Sequence, residues 1–148
     1  MDSSENGASS KKNRNQQYIF PNGLPGFEDK KLYILKPHNE MFSLLSAAED
    51  ERISFITINP FDFYPGYEFE LPEDAINMLK IQHREQVAVR CIVTWHSDRR
   101  RSTVNLLAPL VFNSEALTGK QIVLQHSTYT TKEPLWNEGN GVEQGGGI

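Results

Sequence analysis

The chain has 148 residues, 38% hydrophobic and 10% aromatic, enough to bury one core and too few for two full domains. Fifteen basic groups against 19 acidic ones give a net charge of −4, so the chain-wide cationic field of a general nucleic-acid binder is missing. One cysteine, Cys91, excludes an internal disulfide framework and a cysteine zinc site. No apolar run approaches the length of a membrane span, and the polar N-terminus lacks the apolar middle of a secretory signal, so a cytoplasmic protein without membrane attachment is expected.

Residues 1–16 carry Ser, Asn, Gly and Lys with no aliphatic side chain larger than Ala8 beyond the initial Met1, a composition that does not repay the entropy of ordering. A disordered polar tail is expected there, and a second, Gly-rich tail at 137–148. The folded unit is then 17–136.

Inside it, short β-rich runs alternate with turns. Residues 32–35, 42–45 and 53–58 are compatible with strands. Residues 67–71 have strict period two, with Tyr67, Phe69 and Leu71 on one face and Glu68 and Glu70 on the other, as in a half-buried strand. Residues 86–95 place Val87, Val89, Cys91, Val93 and Trp95 on one parity and predict a long central strand; 103–107, 110–112 and 121–124 complete the set. Pro21-Asn22-Gly23, Pro25-Gly26, Asn59-Pro60, Pro65-Gly66 and Thr118-Gly119 punctuate these runs at the spacing of antiparallel meanders. One segment reads as helical: acids open the stretch after Pro72, and Ile76, Leu79 and Lys80 fall at helical spacing, predicting one short helix near 73–80. The fold class expected is mainly β, a small antiparallel β-barrel-like or roll domain, because closure hides sheet edges.

Little in the chain points to catalysis. His38, His83, His96 and His126 have no close ligand spacing, and His96 with Asp98 reads better as a polar hairpin loop than as part of a metal site. Cys91 sits among apolar strand residues, where a thiol behaves as a small hydrophobe. No nucleophile elbow, phosphate loop or dinucleotide fingerprint occurs. Neither an enzyme nor a cofactor or metal site is expected.

Charge and aromatic placement say more. Between Glu40 and Glu85 ten acids stand against Arg52, Lys80 and Arg84, an excess of seven negative charges that suits a basic partner and salt-sensitive association. Arg99, Arg100 and Arg101 form a basic tip on the following hairpin. The stretch 59–67 crowds Phe61, Phe63, Tyr64 and Tyr67 between two prolines that should keep it extended or turning, some rings plugging the core and the rest forming an anchor patch. The candidate partner-binding residues are Asn59, Phe61, Phe63, Tyr64, Glu68, Glu70, Glu73 and Asp74.

Five blocks then occur in a recognisable order: Phe20-Pro21-Asn22-Gly23-Leu24-Pro25-Gly26-Phe27-Glu28, Ile58-Asn59-Pro60-Phe61, Tyr67-Glu68-Phe69-Glu70, residues 105–113 with Ala108-Pro109-Leu110-Val111-Phe112-Asn113, and Gly119-Lys120-Gln121-Ile122-Val123-Leu124. Through them the chain resembles the flagellar assembly factor FliW family over about 17–136. The resemblance implies a bacterial cytoplasmic protein with a small β-barrel-like fold and no catalytic activity, which binds flagellin. Once flagellin is exported, it binds the RNA-binding translational regulator CsrA, which then releases the flagellin messenger. A monomer that touches neither nucleic acid nor membrane follows. Family members carry an alternating strand before the first block, where residues 1–16 show none. Flagellin docking at an open barrel edge and docking on the 59–67 loop are both compatible with the sequence. A competing possibility is a small barrel that binds single-stranded nucleic acid through Arg99–Arg101 and exposed rings such as Phe61 or Tyr64.

Overall fold

The structure, a computed structural model, describes residues 15–136. The two expected tails at 1–16 and 137–148 therefore lie almost wholly outside the described residues. In chain order the elements are β1 (Gln16–Ile19), β2 (Leu32–Pro37), β3 (Phe42–Ala47), β4 (Asp50–Ile58), α1 (Pro60–Phe63), α2 (Glu73–Met78), β5 (Val87–Thr94), β6 (Thr103–Val104), β7 (Leu110–Asn113), β8 (Thr118–Gln121) and β9 (Glu133–Pro134).

Strands β1 to β4 form an antiparallel meander in which Tyr18 faces Tyr33, Leu35 faces Leu45 and Leu44 faces Ile56. β4 pairs with β5 from Ile56↔Val93 to Ile58↔Cys91, β5 with β7 from Val87↔Asn113 to Arg90↔Leu110, and β7 with β8. A single parallel pair, Ile19↔Thr118, joins β8 back to β1 and closes a ring of seven strands. That parallel junction departs from the all-antiparallel expectation. It arises because closure brings together two strands far apart in sequence. β6 and then β9 extend the sheet from the end of β5 that the ring leaves free.

Alternation along each strand fills the barrel. Tyr18, Tyr33, Leu45, Ala47, Leu110 and Phe112 are buried in one cluster with Phe20, and Leu35, Ile53, Phe55 and Ile92 pack against it. Phe20 meets the Tyr33 and Phe112 rings edge-on, centroids 5.2 and 5.7 Å away. Gly119 of β8 provides the room: a Cβ there would stand 2.6 Å from Phe20 Cζ. The opposite parity builds two outer clusters. Ile58, Tyr67, Cys91, Val93, Val104, Leu106 and Leu135 pack on one side of the barrel, and Ala75 and Leu79 cover Val111 and Ile122 on another.

The sequence expectations are met in class and adjusted in detail. The helix expected near 73–80 is α2. A second, one-turn helix, α1, occupies part of the segment expected to be extended or turning: Asn59 Oδ1 accepts a hydrogen bond from Phe61 N and Pro60 fills the first helical position, so the two residues act as cap and starter. Residues 67–71 alternate as expected, Tyr67 buried and Glu68 and Glu70 exposed, yet they join no strand ladder. The Tyr67 hydroxyl donates to Leu106 O at 2.7 Å and pins the segment across the outside of the sheet. β8 is displaced toward the N-terminus from the expected 121–124, and β6 stops at Val104. β1 starts at Gln16, the last residue assigned to the polar tail, and supplies an inward residue just before the first sequence block.

Candidate functional site

The eight residues singled out from sequence fall into four places. Asn59 and Phe61 stand at one mouth of the barrel. α1 turns the Phe61 ring outward until it is 40% exposed, with Tyr67 5.8 Å away as its inner neighbour. Phe63 and Tyr64 instead fasten the loop to the C-terminal part of the described chain. The Phe63 ring lies 5.7 Å from Trp136, and the Tyr64 hydroxyl donates to Pro134 O.

Glu68 and Glu70 rim a groove. Residues 68–72 form one wall and 122–129 the other, enclosing about 600 Å³. Phe69, Leu71, Ile122 and Leu124 pack beneath it as part of the α2 cluster, so the floor is apolar while both carboxylates stay exposed at the edge. The backbone of each wall is tied inward or across: Ile122 N donates to Pro109 O, Leu124 N to Leu107 O, and Glu68 N to the Tyr129 hydroxyl at 3.3 Å. One wall is thus fastened to the neighbouring 107–109 segment, the two walls meet through the Glu68–Tyr129 hydrogen bond, and no strand lies between them. Glu73 and Asp74 follow on the exposed first turn of α2, where their charge also favours the helix N-terminus.

The sequence reading missed Arg90. β5 carries it on the same parity as Ile92, which packs into the barrel, and the side chain reaches the mouth beside Asn59 and Phe61. Its Nε donates to Thr57 Oγ1 at 2.7 Å and its Nη2 to Thr57 O at 3.2 Å, with a longer contact to Met41 O at 3.4 Å. Burial pulls its pKa below the ordinary arginine value, and the charge of Asp62 opposes that shift. The signal was one charged residue in an otherwise apolar inward parity, Ala88, Arg90 and Ile92.

Other candidates have structural partners. Cys91 is buried, and that burial pushes its thiol up to about 12. His96 Nδ1 accepts from Asp98 N, and Asp98 caps the turn Arg99–Arg101 through Arg100 N and pairs with the Arg100 guanidinium at 3.5 Å. Arg99 stacks 4.5 Å above the Trp136 ring. Two of the three arginines of the basic tip are therefore engaged by the protein itself. Among the described residues no three His, Cys, Asp or Glu side chains assemble into a metal-binding group, and no helix is long and apolar enough to cross a membrane.

Fold and surface together define a small closed β-barrel whose flank carries a groove edged by carboxylates. The FliW protein family model matches residues 3–135, and the chain belongs to the FliW family. It is similar to the flagellar assembly factors FliW of Bacillus licheniformis and Bacillus subtilis, each 38% identical over 125 residues that cover 83% of this chain and 87% of theirs. FliW of Clostridium kluyveri is 41% identical over 120 residues, covering 80% of this chain and 83% of its own. A crystal structure of the flagellar assembly factor FliW superposes with a TM-score of 0.80 at 32% identity, covering 83% of this chain and 87% of that one. The relatives are named as assembly factors and indicate no enzymatic family.

Proposed function

We propose that this flagellar assembly factor binds flagellin and, when free of it, binds the RNA-binding regulator CsrA as a monomer in the cytoplasm, relieving repression of flagellin translation without catalysing a reaction. The observation that carries the CsrA half is the groove edged by Glu68 and Glu70. A regulator that holds RNA carries cationic surface, and exposed carboxylates beside an apolar floor offer that surface both charge and burial. The same negative field disfavours nearby phosphates, so antagonism does not require occupation of the RNA site.

In this proposal Glu68 and Glu70 contact the partner, and Glu73 and Asp74 extend the field. Asn59 and Phe61 present an aromatic anchor, while Phe63 and Tyr64 act through the loop they fasten. The test is CsrA affinity of Glu68→Lys/Glu70→Lys across a salt series. A control, Glu49→Lys/Glu51→Lys, makes the same charge change at exposed positions outside the groove. The groove variant is expected to lose about tenfold or more in affinity and most of its salt dependence, the control about twofold or less. Equal loss in both variants, or none in either, refutes the groove assignment.

A further inference from the structure

The barrel mouth has the makings of a site that the acidic groove does not explain. A pocket of about 330 Å³ opens there, lined by Tyr18, Asn59, Phe61, Arg90 and Phe112 among others. Three of its side chains hold uncommitted donors. Arg90 uses Nε and Nη2 on protein oxygens, whereas its Nη1 donates no hydrogen bond among the described residues. Asn59 spends Oδ1 on the cap of α1, which leaves its amide NH₂ free to donate. Tyr18 is 5% exposed and its hydroxyl makes no hydrogen bond among the described residues. No carboxylate forms an ion pair with Arg90 among the described residues, although Asp62 is close enough for its charge to be felt.

A largely buried guanidinium without a counter-ion is costly, and in general such a charge is paired or meets a ligand. Planar Arg donors beside an amide NH₂ and a phenol match the lone pairs of one carboxylate. The remaining walls include Leu35, Val89, Phe61 and Phe112, so the group carrying that carboxylate is apolar. The volume sits at the small end of ligand pockets, of which the mouths of β-barrels are a favoured location.

We infer that the barrel mouth is a carboxylate-binding site, in which Arg90, Tyr18 and Asn59 take the carboxylate of a polypeptide segment and the Phe61 side of the mouth takes the apolar stem that carries it. Either a chain terminus or an acidic side chain supplies that chemistry. The site shares no lining residue with the groove, while Asn59 and Phe61 belong both to it and to the aromatic anchor proposed above.

The test is an NMR titration of the full chain, at fixed pH and ionic strength, with three probes: N-acetyl-leucine for a chain terminus, N-acetyl-glutamic acid α-amide for an acidic side chain, and N-acetyl-leucinamide as the uncharged control. A carboxylate probe is expected to shift the Arg90 Nε–H and the Asn59 amide with a Kd on the order of a millimolar, and the tighter of the two names the source. Arg90→Gln is expected to weaken binding about tenfold or more. Asn59→Asp keeps a good helix cap while placing a carboxylate opposite Arg90, and is expected to block the site to the same degree. It serves as the deciding variant if Arg90→Gln does not fold. Asp62→Asn removes a repelling charge and is expected to tighten binding. Equal shifts with the leucinamide, no saturation by either carboxylate, or unchanged binding in Asn59→Asp overturns the inference.

Discussion

Replacing Gly119 by Ala asks whether the barrel interior tolerates one more methyl group. A Cβ at that position would lie 2.6 Å from Phe20 Cζ, 2.7 Å from Cε1 and 3.0 Å from Cε2, all inside normal contact distance. The Phe20 ring is fully buried and is held by edge contacts to Tyr33 and Phe112, both themselves buried, so it has nowhere to withdraw. Forced repacking of this kind costs about 1–3 kcal/mol. For a domain of this size about 2 kcal/mol corresponds to a fall in Tm of roughly 5–10 °C. Urea denaturation followed by near-ultraviolet circular dichroism measures the midpoint, and a second variant isolates the cause. Phe20→Leu alone is expected to cost about 1–3 kcal/mol by leaving space, and that same space relieves the Ala methyl. The double variant should therefore be more stable than additivity predicts by about 1 kcal/mol or more. An unchanged midpoint in Gly119→Ala, or strict additivity in the double variant, refutes the packing assignment.

Two further perturbations test other parts of the molecule. Asn113, fully buried, donates from Nδ2 to Leu79 O and Lys80 O and accepts at Oδ1 from the Glu115 and Ala116 amides. Asn113→Asp turns the two donor contacts into facing oxygens and is expected to cost about 2–4 kcal/mol in chemical denaturation, with part of the loss recovered in acid, where a protonated carboxyl again donates. Burial raises the Cys91 thiol from 9.0 to about 12, so the fold favours the neutral form. Its contribution to stability is complete below the unfolded value and is lost as pH climbs from about 9 toward 12, at up to about 1.4 kcal/mol per pH unit. Denaturation midpoints should fall over that range, and at about pH 8 a disulfide reagent should react with Cys91 only as fast as the protein opens; rapid reaction in the folded state would contradict the burial.

Periodicity and turn chemistry made most of the fold legible. β2 to β5 and β7 follow from alternating apolar residues, and α2 from acids after Pro72 with apolar residues at helical spacing. Tyr67 to Leu71 shows the limit of that signal. Side-chain alternation reports that one face is buried, which Tyr67 satisfies against Cys91 and Leu106, but it does not report whether the backbone has a ladder partner. The Asn59-Pro60 pair was read as a turn although it is also a cap followed by a helix starter, and so α1 was missed. The closing junctions β4 with β5 and β1 with β8 depend on which strands meet after the chain has folded, and no local pattern encodes them. For the same reason the proposed groove was half visible. Glu68 and Glu70 stood out, while of the opposite wall at 122–129 only the part up to Leu124 entered, as the end of a strand, and Arg90 entered as one more residue on a parity.

The parallel pair of Ile19 with Thr118, backed by the Ile19 amide on Leu117 O, is the latch of the ring. Releasing it costs little next to unzipping the meander or the β7–β8 hairpin, so amide protons at this junction should exchange first. An unlatched barrel uncurls into an open sheet with β1 and β8 as fresh edges, and self-association on warming should begin there.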